Sequence, residues 1–176
     1  NFWRDDDGVK YHDAYFDEFE GIWRHGDFAE VTPSGGVKIH GRSDATLNPG
    51  GVRIGTADIY RTVEEDVLEA DDSIIVGEDY ILPDGTPDVR IVLFLKMKDG
   101  QTLTDELIKR IRGSIRSKCS PRHVPGKVIA CPAIPYTVNG KKVEVAVKKT
   151  MCGKPVNNLS ALLNPESLEF FKNLPN

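Results

Sequence analysis

No stretch of this chain is apolar for long enough to cross a bilayer, which takes about 18 to 20 residues, and no membrane partner is expected. No excess of basic residues marks it for nucleic acid either. Lys and Arg number 23 against 27 Asp and Glu, for a net charge of −4, and a balance of that sign argues against generic nucleic-acid binding. Cysteine is scarce: Cys119, Cys131 and Cys152 are odd in number and show no spacing for a zinc site or a disulfide framework. Reduced thiols in a cytoplasmic protein are therefore expected. The histidines His12, His25, His40 and His123 sit in no HExxH pattern and no triad-like setting, so no metal site is expected. The segment Asn1-Phe2-Trp3-Arg4-Asp5-Asp6-Asp7 lacks the basic-then-apolar layout of a signal peptide, and the missing initiator Met leads us to expect a fragment.

What is present fits a soluble globular class. With 176 residues the chain has room for one domain, or one domain and a piece of another. Residues 1–20 alternate acids with aromatics, and Tyr15 and Phe19, four apart, are expected to share a helical face. Phe28 to Thr32 alternates as a strand, Pro33-Ser34-Gly35-Gly36 turns, and Val37 to His40 returns. Thr56 is expected to cap a helix, with Asp58 in its first turn and Ile59, Val63 and Val67 as its apolar stripe. Ser73 to Val76 reads as a short buried strand, Asp84 to Asp88 as a turn, and Val89 to Lys98 as a long strand. Thr104 then caps a second helix lined by Leu107, Ile111 and Ile115, and Lys127 to Ala130 is a third strand. Two helices with three strands of mixed type make a small α+β layer. Asn164 and Pro165 are expected to start a last helix, with Leu168 and Phe171 facing the core.

One stretch stands out. Gly41 to Gly55, GRSDATLNPGGVRIG, packs four glycines and two arginines into fifteen residues. Pro49-Gly50-Gly51 is turn chemistry, flanked by Thr46-Leu47-Asn48 and Val52-Arg53-Ile54, which are short enough to pair as a hairpin. A glycine tip lets backbone approach a ligand closely, and two arginines nearby suit phosphate.

The longer run GRSDATLNPGGVRIGTADIY resembles the hinge and following hairpin of the adenylate-forming acyl-CoA synthetases. Two further motifs, in the same order, extend the resemblance from about Trp23 to about Lys149. Trp23-Arg24-His25-Gly26-Asp27 resembles the family's Trp-x-x-Gly-Asp, whose aspartate accepts hydrogen bonds from the ribose hydroxyls. Ile134-Pro135-Tyr136-Thr137-Val138-Asn139-Gly140-Lys141 resembles its Pro-Lys-Thr-x-Ser-Gly-Lys loop, although Tyr136 and Asn139 depart from that pattern. On residue types alone, Lys141, Lys142, Lys148, Lys149 and Lys154 read as a solvated basic helix.

The resemblance implies the rest. The fold would be the family's small C-terminal domain, a three-stranded mixed sheet with packed helices plus a β-hairpin, preceded by the last strands of the large N-terminal domain. Residues 1–43 would end the large domain and 44–176 would form the mobile one, with Asp44 as the hinge. Lys141 would be the catalytic lysine of adenylation. Asp27, Arg42 and Arg53 would contact the nucleotide, and Gly51 and Arg112 would serve CoA. ATP and CoA would be consumed, with Mg2+ accompanying ATP. The wording of the motifs is closest to the branch that acts on acetoacetate; acetate or another short-chain acid is the alternative within the class. A non-catalytic interaction module that kept the fold is the alternative outside it. The family's phosphate loop and acyl pocket are not in these residues, so the missing N-terminal domain of the same chain would be the partner, and this fragment alone would be inactive.

Overall fold

Two long neighbouring strands organise the computed structural model, which describes residues 2–174. β3 (Ala70–Ile81) and β4 (Pro87–Met97) run antiparallel, with Ile75 opposite Leu93 and Ile74 opposite Phe94. Two shorter strands, β1 (Asp27–Val31) and β2 (Val37–Arg42), form a separate hairpin earlier in the chain. The turn between β3 and β4 is shaped by Asp84, whose carboxylate accepts from the Thr86 amide at 2.9 Å. β5 (Lys127–Ala130) lies parallel to β4, so the sheet is mixed and ordered β3-β4-β5. Parallel neighbours need a crossover, and α3 (Asp105–Lys118) lies in that connection.

Ile74 to Val76 and Ile91 to Leu95 are buried without alternation, because both faces of the sheet are covered. One face, Ile75, Ile91, Leu93 and Leu95, packs on Ile59 and Val63 of α2 (Ala57–Asp66) and on Leu107, Ile111 and Ile115 of α3. The other, Ile74, Val76, Val92 and Phe94, packs on Val147 of α4 (Glu144–Met151) and on Leu168 and Phe171, the latter within α5 (Glu169–Lys172). The Phe171 ring meets Phe94 edge-on, with centroids 4.9 Å apart. Among the described residues, every buried apolar side chain lies between Leu47 and Phe171.

Local chemistry explains most helix ends. Thr104 Oγ1 accepts from the Leu107 amide, and α3 carries Asp105 and Glu106 in its first turn and Arg116 and Lys118 in its last, complementing the helix dipole. Two expected caps work differently. Thr56 occupies the N-cap position of α2, with Asp58 in the first turn, but its hydroxyl makes no capping bond. Asn164 precedes the 3-10 turn Pro165–Leu168, yet its amide bridges backward, accepting from Tyr136 N and donating to Ile134 O, both at 2.9 Å.

The first helix also departs from expectation. α1 (Val9–Tyr15) ends at Tyr15, where Phe16 leaves helical geometry, so Phe19 is not on it. The aromatic neighbours of Tyr15 include Tyr11 at 5.3 Å and Trp23 at 5.5 Å. β1 and β2 pair antiparallel with Val31 opposite Val37. Val31, Val37 and Ile39 remain 75%, 64% and 53% exposed. β2 passes close to the start of α2: a Cβ on Gly55 would stand 2.1 Å from the His40 carbonyl oxygen, a separation at which no side chain fits.

Candidate functional site

The register of the β1–β2 hairpin makes Asp27 and Arg42 direct partners at its open end. Arg42 Nη1 lies 3.4 Å from Asp27 Oδ1 and donates to the His25 carbonyl at 3.3 Å, while its Nε lies 3.5 Å from Asp44 Oδ1. His25 Nδ1 stands 2.5 Å from the second oxygen of Asp27. Both oxygens of that carboxylate therefore have a positioned neighbour. Arg53 belongs to the same neighbourhood, its guanidinium stacked over the Phe28 ring at 5.5 Å to the centroid, a contact that fixes the plane of the donor fork.

The Pro-Gly-Gly tip is anchored from one side and open on the other. Leu47 and Ile54 exchange two hydrogen bonds of 2.9 Å, and Pro49–Gly51 makes a tight turn in which both glycines are left-handed. Gly50 N–H donates to Asp88 Oδ1 at 2.7 Å, and this bond, with a second from the Val89 amide, holds the Asp88 carboxyl below the usual carboxylate range. Gly51 has φ of +75°, and a Cβ built on it would meet nothing within 4 Å.

Lys141 closes a tight turn of its own. Thr137 N donates to Lys141 O at 2.8 Å, Gly140 N to Thr137 O at 2.9 Å, and Lys141 N to Thr137 Oγ1 at 3.1 Å. The side chain is exposed, and among the described residues no carboxylate pairs with it. An ammonium without a counter-charge is disposed to meet an incoming carboxylate or phosphate. A cleft of about 400 Å³ runs beside this loop, lined by Arg42, Asp44, Thr137, Lys142, Glu144 and Lys149 among others. Arg42 and Asp44 thus border one space with the lysine loop, although no hydrogen bond joins Lys141 to Asp27, Arg42 or Arg53 among the described residues.

Arg112 is placed apart from them. Its Nε donates to Pro125 O at 3.1 Å and its Nη2 to Gly126 O at 2.7 Å, so two of its donors fix the entry to β5. Among the described residues no group of three or more His, Cys, Asp or Glu side chains could hold a metal ion, and none of the helices is long and apolar enough to cross a membrane.

A polar network behind the lysine loop escaped the sequence reading. Tyr136 Oη donates to Asp72 Oδ2 at 2.5 Å, and Lys142 Nζ stands 2.8 Å from Asp72 Oδ1. The Lys142 ammonium also lies over the Tyr60 ring at 4.7 Å. Tyr60 Oη donates to Glu144 Oε1 at 2.9 Å and accepts from Ile75 N at 3.1 Å. Burial, then the neighbouring Glu144 charge, pushes the Tyr60 phenol far up; burial and the bond to Asp72 push Tyr136 up as well. Both phenols remain neutral donors. His25 was within reach, since it lies inside the motif that ends on Asp27.

The β1–β2 hairpin, ending in a braced carboxylate, is joined by a short segment to a mixed-sheet unit that presents a Gly-Lys turn. In fold the chain matches an anthranilate CoA ligase solved with anthranoyl-AMP, with a TM-score of 0.59 and 24% identity over 70% of this chain and 23% of that one. In sequence it is similar to acetoacetyl-CoA synthetases. The acetoacetyl-coenzyme A synthetase of Rhizobium meliloti (strain 1021) is 54% identical over 173 residues, which is 98% of this chain and 26% of the relative. The acetoacetyl-CoA synthetase structure from Streptomyces lividans is 44% identical with a TM-score of 0.85, over 98% of this chain and 25% of that one. The chain thus spans about a quarter of the length of these relatives. No family model matches it.

Proposed function

We propose that the chain is the hinge and mobile domain of an AMP-forming acetoacetate–CoA ligase. In the first half-reaction a carboxylate oxygen of acetoacetate attacks the α-phosphorus of ATP, giving acetoacetyl-AMP and releasing pyrophosphate. In the second, the CoA sulfur attacks the acyl carbon, the thiol proton is lost, and AMP leaves with the bridging oxygen. Asp27 accepts the ribose hydroxyls, its carboxylate oriented by His25 and Arg42. Arg42 and Arg53 face the nucleotide. Lys141 neutralises the charge that builds where carboxylate and α-phosphate meet, the kind of preorganised contact that dominates catalysis.

The division at Asp44 belongs to the same reading. It is supported by apolar clusters that begin at Leu47 and by an exposed Asp44 that belongs to neither of them. Turning residues 44–176 about that point would bring Gly51 to the pantetheine path and Arg112 toward the CoA nucleotide, through the Nη1 that its backbone contacts leave over. Among the described residues no cluster of His, Cys, Asp or Glu could hold a metal, so Mg2+ would arrive on the ATP phosphates, and no step is drawn through it.

The observation that carries the reading is Lys141, exposed and without a carboxylate partner among the described residues, on a turn whose Thr137 and following Lys142 line a cleft with Arg42 and Asp44. The test uses the full-length protein. Acetoacetate-dependent ATP–pyrophosphate exchange should exceed exchange with acetate. Lys141→Ala should lower it about a hundredfold or more, the scale of one lost transition-state contact. Given preformed acetoacetyl-AMP, the variant should still make acetoacetyl-CoA at nearly the wild-type rate. Wild-type exchange in Lys141→Ala would overturn the assignment, and a preference for acetate would overturn the substrate.

A further inference from the structure

The two lysines of Gly140-Lys141-Lys142 are treated oppositely by the fold. Lys141 is exposed and without a carboxylate partner among the described residues, whereas the Lys142 side chain is 21% exposed against an Asp72 side chain that is 20% exposed. The alternation has a backbone cause. Tyr136 and Lys142 face each other in an antiparallel bridge, so both flank the same strand position and both reach Asp72 at the start of β3. Thr137 and Lys141, one step further out, turn to the other side. The loop between them carries Val138, Asn139 and Gly140, all exposed. It is therefore a five-residue projection, Thr137 to Lys141, clamped at its base by one carboxylate.

We infer that Lys142, through Asp72 and Tyr136, is the positioning residue that sets the reach and direction of Lys141. The inference rests on the proposed adenylation role of Lys141 and assigns to its neighbour a part in the same step. Asp72 accepts from Tyr136 on one oxygen and pairs with Lys142 on the other, so a single side chain ties together both strands that enter the turn. The Tyr60 ring under the Lys142 ammonium, itself bonded to Glu144 at the head of α4, closes the clamp from below. Tyr136 stands where the family pattern has lysine. A phenol kept neutral by its surroundings suits the clamp, since a second lysine there would leave two ammonium groups on one carboxylate. Holding a reacting group in place matters out of proportion to stability, because a misplacement of about 1 Å can lower a rate by about a hundredfold.

The test is a cycle in the full-length protein, read by ATP–pyrophosphate exchange and, separately, by thioester formation from preformed acetoacetyl-AMP. Lys142→Met keeps the stem and removes the charge. It should lower kcat for exchange by between about tenfold and a hundredfold, with little change in the KM for ATP and a near-normal thioester step. Lys142→Arg, which can still pair with Asp72, should recover most of the loss. In a Lys141→Ala background, Lys142→Met should lower exchange no further, since a residue that acts only through Lys141 has nothing left to position. Asp72→Asn, which removes the partner charge but keeps an acceptor for Tyr136, should repeat the Lys142→Met pattern and serves if that variant does not fold. Equal loss in both half-reactions, a full further loss in the Lys141→Ala background, or wild-type exchange in Lys142→Met would overturn the inference alone, provided Lys141→Ala is itself impaired. Wild-type exchange in Lys141→Ala would instead overturn the functional reading and the inference with it.

Discussion

Gly51 offers a clean way to separate backbone strain from steric obstruction. At φ of +75° the residue lies in the left-handed region, where an L side chain costs about 1 to 2 kcal/mol. Nothing lies within 4 Å of a Cβ built there, so no clash adds to that figure and alanine and leucine should cost the fold equally. For a domain of this size a loss of 1 kcal/mol lowers the melting temperature by about 2 to 4 °C, which both variants should share to within a degree or so. Function should distinguish them. If Gly51 lines the pantetheine path after the domain turns, Gly51→Leu fills that path with three more carbon atoms than Gly51→Ala does. In the full-length protein the leucine variant should then lose thioester formation by about a hundredfold or more, as expected when a reacting atom cannot reach its position. Gly51→Ala should lose only a modest fraction, and ATP–pyrophosphate exchange should stay near wild type in both. The assay is paired: exchange for the first half-reaction, and CoA-dependent consumption of purified acetoacetyl-AMP for the second. Equal losses for alanine and leucine in the second step would mean that backbone conformation matters and not space. Equal losses in both half-reactions would remove Gly51 from the CoA site altogether.

Three further outcomes follow from the packing and the ionisation of the domain. Phe171→Ala deletes a ring that is fully buried and edge-on to Phe94; chemical denaturation should show a loss of about 3 to 5 kcal/mol, and a loss under 1 kcal/mol would mean that the C-terminal segment is not part of the core. Cys131 is buried, which pushes its thiol up to about 12, while Cys152 is exposed; iodoacetamide at pH 8 should modify Cys152 in the native protein and spare Cys131 until it unfolds. The Asp66 carboxyl is held below its ordinary value first by Lys118 and then by Ser114. A depressed carboxyl stabilises above its unfolded pKa of about 3.9 and loses that contribution as pH falls through the folded value. The melting temperature of the native protein should therefore drop below about pH 4, and Asp66→Asn should flatten that slope; an unchanged slope would show that the α2–α3 ion pairs do not contribute.

Local order was readable from residue order, and long-range order was not. Ile59, Val63 and Val67, like Leu107, Ile111 and Ile115, recur at helical spacing, and the structure buries all six. The run from Ile91 to Leu95 signalled a strand, but that both its faces are covered depends on α4 and the C-terminal segment, which no local window contains. Tyr15 and Phe19 have the spacing of a helical face, yet the helix stops between them, because spacing says nothing about where backbone geometry breaks. Asn164 shows the same limit in polar form: its position before Pro165 is a capping position, but the side chain finds Tyr136 and Ile134 across the fold and bridges those instead. Asp27, Arg42 and Lys141 were legible as candidates through their motifs. In the clamp, Tyr136 and Lys142 flank the lysine motif, but Asp72 lies far away in the chain, and the fold alone brings it to them.

The exposed valines and isoleucine of the β1–β2 hairpin have a practical consequence. A two-stranded ribbon is only marginally stable by itself in water, and unpaired edges with apolar faces invite pairing with other chains. Val31, Val37 and Ile39 give residues 27–42 both properties at once. In a concentrated solution of this chain, that ribbon is where self-association would begin, while the sheet of residues 70–130, covered on both faces, would remain a bystander. Samples cut to start near Asp44 should stay dispersed at concentrations where the longer chain clouds.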